Sequence, residues 1–113
     1  MLLEPVFGNK TAERVLLYLA NYQQGYARDI AQTYETTLSM VQKQLTRLEE
    51  GGILVSRLVG KTRVYEFNPR WYFYKEILAL LEKALQALPK DEVEKYYRKR
   101  QRPRRAGKAM WLK

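Results

Sequence analysis

Ser39, Gln42, Lys43 and Thr46 stand three, one and three residues apart, with the apolar Val41, Leu45 and Leu48 set between and beyond them. At helical spacing the first group falls on one face and the second on the opposite face. A slim polar face bearing hydroxyl, amide and ammonium groups, held from behind by an apolar stripe, carries the donors and acceptors that hydrogen-bond base edges in a major groove about 12 Å wide. These four residues are the candidate contacts to bases and phosphates. Arg57, Lys61 and Arg63 follow in an alternating stretch, three cations with no acid among them, and suit phosphate oxygens. A polar helix face on its own is more often plain solvated surface, and Lys61 and Arg63 alone would be ordinary turn charges. The order in which helix, glycine pair, alternating segment and basic tip succeed one another favours recognition.

Other chemistries lack their groups. The 113 residues contain no cysteine and no histidine, which removes zinc fingers, thiolate or imidazole metal sites, disulfides and imidazole proton shuttles. The carboxylate pairs Glu49/Glu50 and Asp91/Glu92 are adjacent in sequence and diverge on a helix surface, so neither forms an acid/base dyad. No glycine-rich phosphate loop or hydrolase motif is present. The expectation is a non-enzyme without cofactor or metal.

A length of 113 residues argues for one domain, and 46% hydrophobic with 29% charged residues is the composition of a folded one. The formal charge of +9 is unevenly placed: residues 1–88 carry 11 basic and 9 acidic side chains, residues 89–113 carry 10 and 3. Such a tail favours a polyanionic partner, nucleic acid or an anionic membrane surface. The membrane is the weaker choice because the basic run has no attached helix with a strong apolar face and no cysteine to lipidate. No apolar run approaches the roughly 20 residues that span a bilayer, and residues 1–7 lack the charged start and long apolar run of a secretory signal. No membrane partner is expected, and the expected location is cytoplasmic and DNA-associated.

The elements that must position these residues are legible in the periodicity. A helix is expected over 10–22, capped by Asn9 and stopped by Gln23, Gln24 and Gly25, with Glu13 favoured near its positive end. A short helix follows over 27–34 with Ile30, Ala31 and Tyr34 inward. A third helix runs over 38–50, capped by Thr36 or Thr37, and Gly51 and Gly52 end it in left-handed fashion. Strands are expected over 53–59 and 62–68, joined at Gly60 and Lys61. A long fourth helix spans 70–88 and stops at Pro89, and another reaches Tyr97 with Val93, Tyr96 and Tyr97 on one side.

Helix, turn, helix and hairpin in this order make a helix-turn-helix with a wing. The sequence resembles the winged helix-turn-helix transcription regulators, the ArsR-like and MarR-like families in particular. The resemblance rests on Arg28-Asp29-Ile30-Ala31, on Ser39 to Leu48 followed by Glu49-Glu50-Gly51-Gly52-Ile53-Leu54, and on Gly60-Lys61-Thr62-Arg63-Val64-Tyr65-Glu66-Phe67-Asn68-Pro69. It implies a homodimer on pseudo-palindromic duplex DNA, usually a repressor, with the third helix in the major groove and the wing on the backbone or minor groove. By position, Thr37, Ser39, Met40, Gln42, Lys43 and Thr46 would face DNA, and Arg57, Lys61, Thr62 and Arg63 would form the wing contacts. Glu35 and Thr36 stand where the family often has a glycine and an apolar residue, and Leu38 is apolar near a position usually polar. The metal-sensing ArsR-like branch uses cysteine or histidine ligands, which this chain lacks.

The expected fold class is therefore mainly α with a β-hairpin wing, a winged helix-turn-helix with a long C-terminal dimerisation helix. Residues 1–89 would form the DNA-binding domain with that helix, and residues 90–113 a basic C-terminal helix and tail. Tyr74, Ile77, Leu78, Leu81, Leu85 and Leu88 make a seam, and the apolar stripe around it is wide enough to favour a homodimer over complete burial within one protomer. The arm over 98–108 could lie along phosphates, enter a minor groove or serve as a solubilising tail, the first two together being favoured, and Met110-Trp111-Leu112 is an apolar patch that needs a cover. The competing readings are a winged-helix protein-interaction module and an RNA-associated, ribosome-associated or architectural basic protein.

Overall fold

Asn9 opens the first long helix as its residue type requires: its side-chain oxygen accepts a hydrogen bond from the backbone N–H of Ala12 at 2.6 Å. The computed structural model describes residues 2–98. A single turn, α1 (Glu4–Phe7), precedes α2 (Lys10–Tyr22), and β1 (Gly25–Tyr26), α3 (Ala27–Tyr34) and α4 (Leu38–Glu50) follow. The hairpin is β2 (Leu54–Val59) and β3 (Thr62–Phe67). Next come α5 (Tyr74–Ala87) and α6 (Lys90–Glu92), which continues as a π-helical turn over Val93–Tyr97. The expected third and fourth helices are thus α4 and α5, because α1 adds a turn that sequence did not reveal.

The centre of the molecule is α2, whose Val15, Leu16, Leu17, Tyr18 and Leu19 are all buried. A helix buried on every side needs neighbours all round, and here α1, α3, α4, α5 and the C-terminal turn pack against it. Ile30 and Tyr34 of α3, Val41, Leu45 and Leu48 of α4, Leu54 and Phe67 of the hairpin, and Ile77 and Leu81 of α5 join it in the core. Glu13 is buried there too, at 0% exposure. Its Oε2 accepts from the backbone N–H of Leu3 at 2.9 Å, so a side chain expected to serve the helix dipole also ties down the N-terminal turn.

Three strands form the sheet where a two-stranded hairpin was expected. Its order is β1-β3-β2, all antiparallel, and β1 adds the pairs Gly25↔Tyr65 and Tyr26↔Val64. Gly25 is not the helix stop it resembled. Gln23 takes the left-handed C-cap of α2 at φ 75°, while Gly25 lets the strand lie against the helix: a Cβ there would sit 2.6 Å from Tyr18 Cε1. After α4, only Gly52 is left-handed, at φ 85°, and Gly51 stays right-handed.

α5 begins four residues later than expected, since Asn68 builds a turn instead. Its Oδ1 accepts from the backbone N–H of Arg70 at 3.0 Å, and its carbonyl accepts from the N–H of Trp71 at 3.1 Å. The C-terminal turn is fastened at three points. Asn21 Nδ2 donates to the Tyr97 carbonyl at 2.9 Å, the Tyr22 hydroxyl donates to the Tyr96 carbonyl at 2.6 Å, and the Tyr34 and Tyr97 hydroxyls share a buried 2.8 Å hydrogen bond. Residues 90–97 therefore pack on α2 and α3, and the arm expected beyond Arg98, with Met110-Trp111-Leu112, lies outside the described residues.

Candidate nucleic-acid interface

The presenting helix is set by three local features. Glu35 ends α3 in the left-handed region at φ 56°, the conformation a glycine adopts at least cost. Thr37 then caps α4, its hydroxyl accepting from the Met40 N–H at 3.3 Å. Val41, Leu45 and Leu48 anchor the inner face. Ser39, Gln42, Lys43 and Thr46 are consequently all exposed, together on one shallow outer surface with Arg47 and Glu50.

The wing closes one side of this surface. Between α3, the start of α4 and the β2–β3 hairpin lies an open cleft of about 740 Å³, lined by Arg28, Asp29, Leu38, Gln42, Lys61, Thr62 and Arg63, with Tyr26, Leu58 and Tyr65. Arg63 Nη1 donates to Ser56 Oγ at 2.9 Å, and Ser56 Oγ donates to Glu49 Oε2 at 2.7 Å, so a relay of hydrogen bonds locks the wing to the end of α4. Burial, then the charge of Glu49, pushes the Tyr65 phenol up, with Arg63 pulling it partly back. It remains a hydroxyl donor at neutral pH.

The expected site residues do not all gather in one place. Gln42, Lys61, Thr62 and Arg63 line the cleft, Ser39, Lys43 and Thr46 continue outward from it, and Met40 is exposed on the far flank of α4. Arg57 departs from the group. The register pairs Leu58 with Arg63 and Arg57 with Val64, so alternation puts Arg57 on the opposite face of the wing from Arg63. There Arg57 Nη1 lies 3.5 Å from Glu66 Oε2, an exposed ion pair worth about 0–1 kcal/mol. Arg28, Tyr26, Leu58 and Tyr65 were not singled out as site residues. Arg28 belongs to a motif that carried the resemblance, but only the pairing of β1 with β3 brings it beside the wing.

The seam on α5 is divided. Ile77 and Leu81 are buried in the protomer's own core, and Tyr74, Leu78, Leu85 and Leu88 are half-buried against it. Exposed beside them are Tyr72, at 88%, with Phe73 and Leu80. Among the described residues no helix is long and apolar enough to cross a membrane, and no group of three or more His, Cys, Asp or Glu side chains is placed to hold a metal ion.

A capped presenting helix, a short helix before it, and a hairpin locked to its end make up a winged helix-turn-helix fold. Comparison with solved structures agrees. The chain is similar to the AntR antimony-specific transcriptional repressor, with 27% identity, a TM-score of 0.61, and 82% of this chain and 78% of that one covered. It is similar in fold to the adhesin competence repressor AdcR from Streptococcus pyogenes, with 18% identity, a TM-score of 0.54, and 82% and 78% covered. A mutant of ZitR from Lactococcus lactis in apo form is likewise similar in fold, with 17% identity, a TM-score of 0.53, and 82% and 79% covered. No protein-family model and no curated protein sequence matches the chain.

Proposed function

We propose that this chain is a sequence-specific duplex-DNA-binding transcription regulator, a repressor that acts as a homodimer and catalyses no reaction. The observation that carries the reading is the exposed row Ser39, Gln42, Lys43 and Thr46 on α4, bordered by a cleft whose rim supplies Arg28, Lys61 and Arg63. α4 enters the major groove and its polar side chains hydrogen-bond base edges, while the wing and Arg28 lie on the sugar-phosphate backbone beside the minor groove. The similarity to AntR and AdcR, both repressors, supports this reading. Antimony specificity is not carried over, because the sequence has neither cysteine nor histidine. The two-fold is formed along α5, where Leu78 and Leu85 on one flank and Phe73 and Leu80 on the other keep apolar surface for a second copy. Residues 90–97 serve as an anchor for the basic tail, which adds phosphate contacts.

The test is selection from a random-sequence duplex library at near-physiological salt, followed by sequencing of the bound fraction. The expected product is a palindromic motif whose half-sites are about 34 Å, one duplex turn, apart. Recovery without a motif, or preference for RNA, would replace the reading with an architectural or RNA-directed one. No recovery would favour a protein-interaction module.

A further inference from the structure

Two exposed apolar side chains sit at the entry of the presenting helix, where a solvated face would carry polar ones. Leu38 is 38% exposed and Met40 is 49% exposed; Leu38 continues the spacing of Val41, Leu45 and Leu48 but, unlike them, is not buried, and Met40 lies off that stripe. At helical spacing they bracket Ser39 on opposite flanks of the outer face. Leu38 lines the cleft beside Gln42. Met40 is held at its tip, where the Thr36 hydroxyl donates to Sδ at 3.7 Å. The first turn of α4 therefore offers hydrogen-bonding groups in the middle and hydrocarbon on either side. A major groove presents one apolar group among its polar edges, the C5 methyl of thymine.

We propose that Leu38 and Met40 read thymine methyl groups, so that the preferred half-site of this protein carries thymines flanking the base pairs contacted by Ser39, Gln42 and Lys43. The inference rests on the reading that α4 lies in the major groove, and it names the chemistry that reading leaves open. Charge complementarity supports nucleic acid as the occupant, because three cations, Arg28, Lys61 and Arg63, against the single acid Asp29 line the same cleft as Leu38. Removing one methyl from a contact of this kind costs about fourfold in affinity, the loss expected for one buried carbon.

The experiment selects binding sites from two random duplex libraries, one made with thymidine and one with deoxyuridine, which pairs identically but lacks the methyl. The recovered thymidine site is then measured with its thymines replaced by deoxyuridine. The expected result is a motif with fixed A·T pairs in the first library, an affinity at least about fourfold lower after replacement, and loss of that difference in the Leu38→Ala/Met40→Ala variant. Both positions are exposed, so the variant is expected to fold, and its circular dichroism and midpoint of denaturation check this. Single substitutions L38A and M40A divide the effect if the pair is destabilised. Equal affinity for the two duplexes, alongside a well-defined motif, would overturn the methyl contact and leave the proposed function standing. Absence of duplex binding in either library would overturn both.

Discussion

Tyr34 and Tyr97 share a buried side-chain hydrogen bond that joins the C-terminal turn to the helix-turn-helix, and it can be dissected hydroxyl by hydroxyl. Phenylalanine at either position keeps the rings that pack on Tyr96 and, for Tyr34, the guanidinium of Arg14 at 5.2 Å. Only the 2.8 Å hydroxyl pair is lost. Removing one hydroxyl leaves the other buried without a partner and costs about 1–3 kcal/mol, whereas removing both leaves two apolar edges and costs far less than the sum. Tyr34→Phe and Tyr97→Phe should each lower the midpoint of urea denaturation, and the double variant should be no less stable than the worse single one. Burial also sets a pH limit. It pushes the Tyr97 phenol up to about 12 and holds that of Tyr34 further above its ordinary value. In the unfolded chain both ionise near pH 10, so the stabilisation is complete below that pH and is lost as pH rises from 10 through the folded values. Additive costs in the double variant, or an alkaline limb unchanged by it, would refute the reasoning.

Four further outcomes follow from the packing and the charges. Gly25→Ala puts a Cβ against a buried tyrosine ring and should cost about 1–3 kcal/mol by overpacking; an unchanged denaturation midpoint would show that β1 can move off α2. Leu81→Ala opens a cavity beside α2 and should cost about 2–5 kcal/mol in the same assay, and a cost under about 1 kcal/mol would mean that α5 is not held by the core. Neutralising Arg28, Lys61 and Arg63 together should make the dependence of log affinity on log salt shallower by about 0.9 for each phosphate released. Deleting residues 98–113, which carry eight basic and no acidic side chains, should act likewise without changing the preferred site. An unchanged slope in either case would place those cations off the DNA.

Much of this architecture is readable before folding because it is local. The bounds of α2, α3 and α4 follow from the recurrence of apolar residues and from the caps Asn9 and Thr37. The turn at Gly60 follows from a glycine between two alternating runs, and it lies at φ 67°. The unread parts are those in which distant residues decide. β1 is two residues long and pairs with Tyr65 and Val64, some forty positions away, so no local period announces it, and with it goes the placement of Arg28. The pairing of Arg57 with Glu66 across the hairpin depends on strand register, which composition does not carry. Burial of Glu13 depends on the amide of Leu3. The wide apolar stripe on α5 was legible; how much of it the protomer itself covers depends on how α2 packs against it.

The most direct test of the central claim, that α4 reads bases, compares wild type with Gln42→Ala and Lys43→Ala on the selected duplex and on a random one. The fold and the proposed dimer should be unaffected, since both side chains are exposed. Loss of affinity for the selected site by about 1–3 kcal/mol per bidentate contact, with little change on random DNA, is the expected result. Equal loss on both duplexes would make these residues backbone contacts and would contradict the claim.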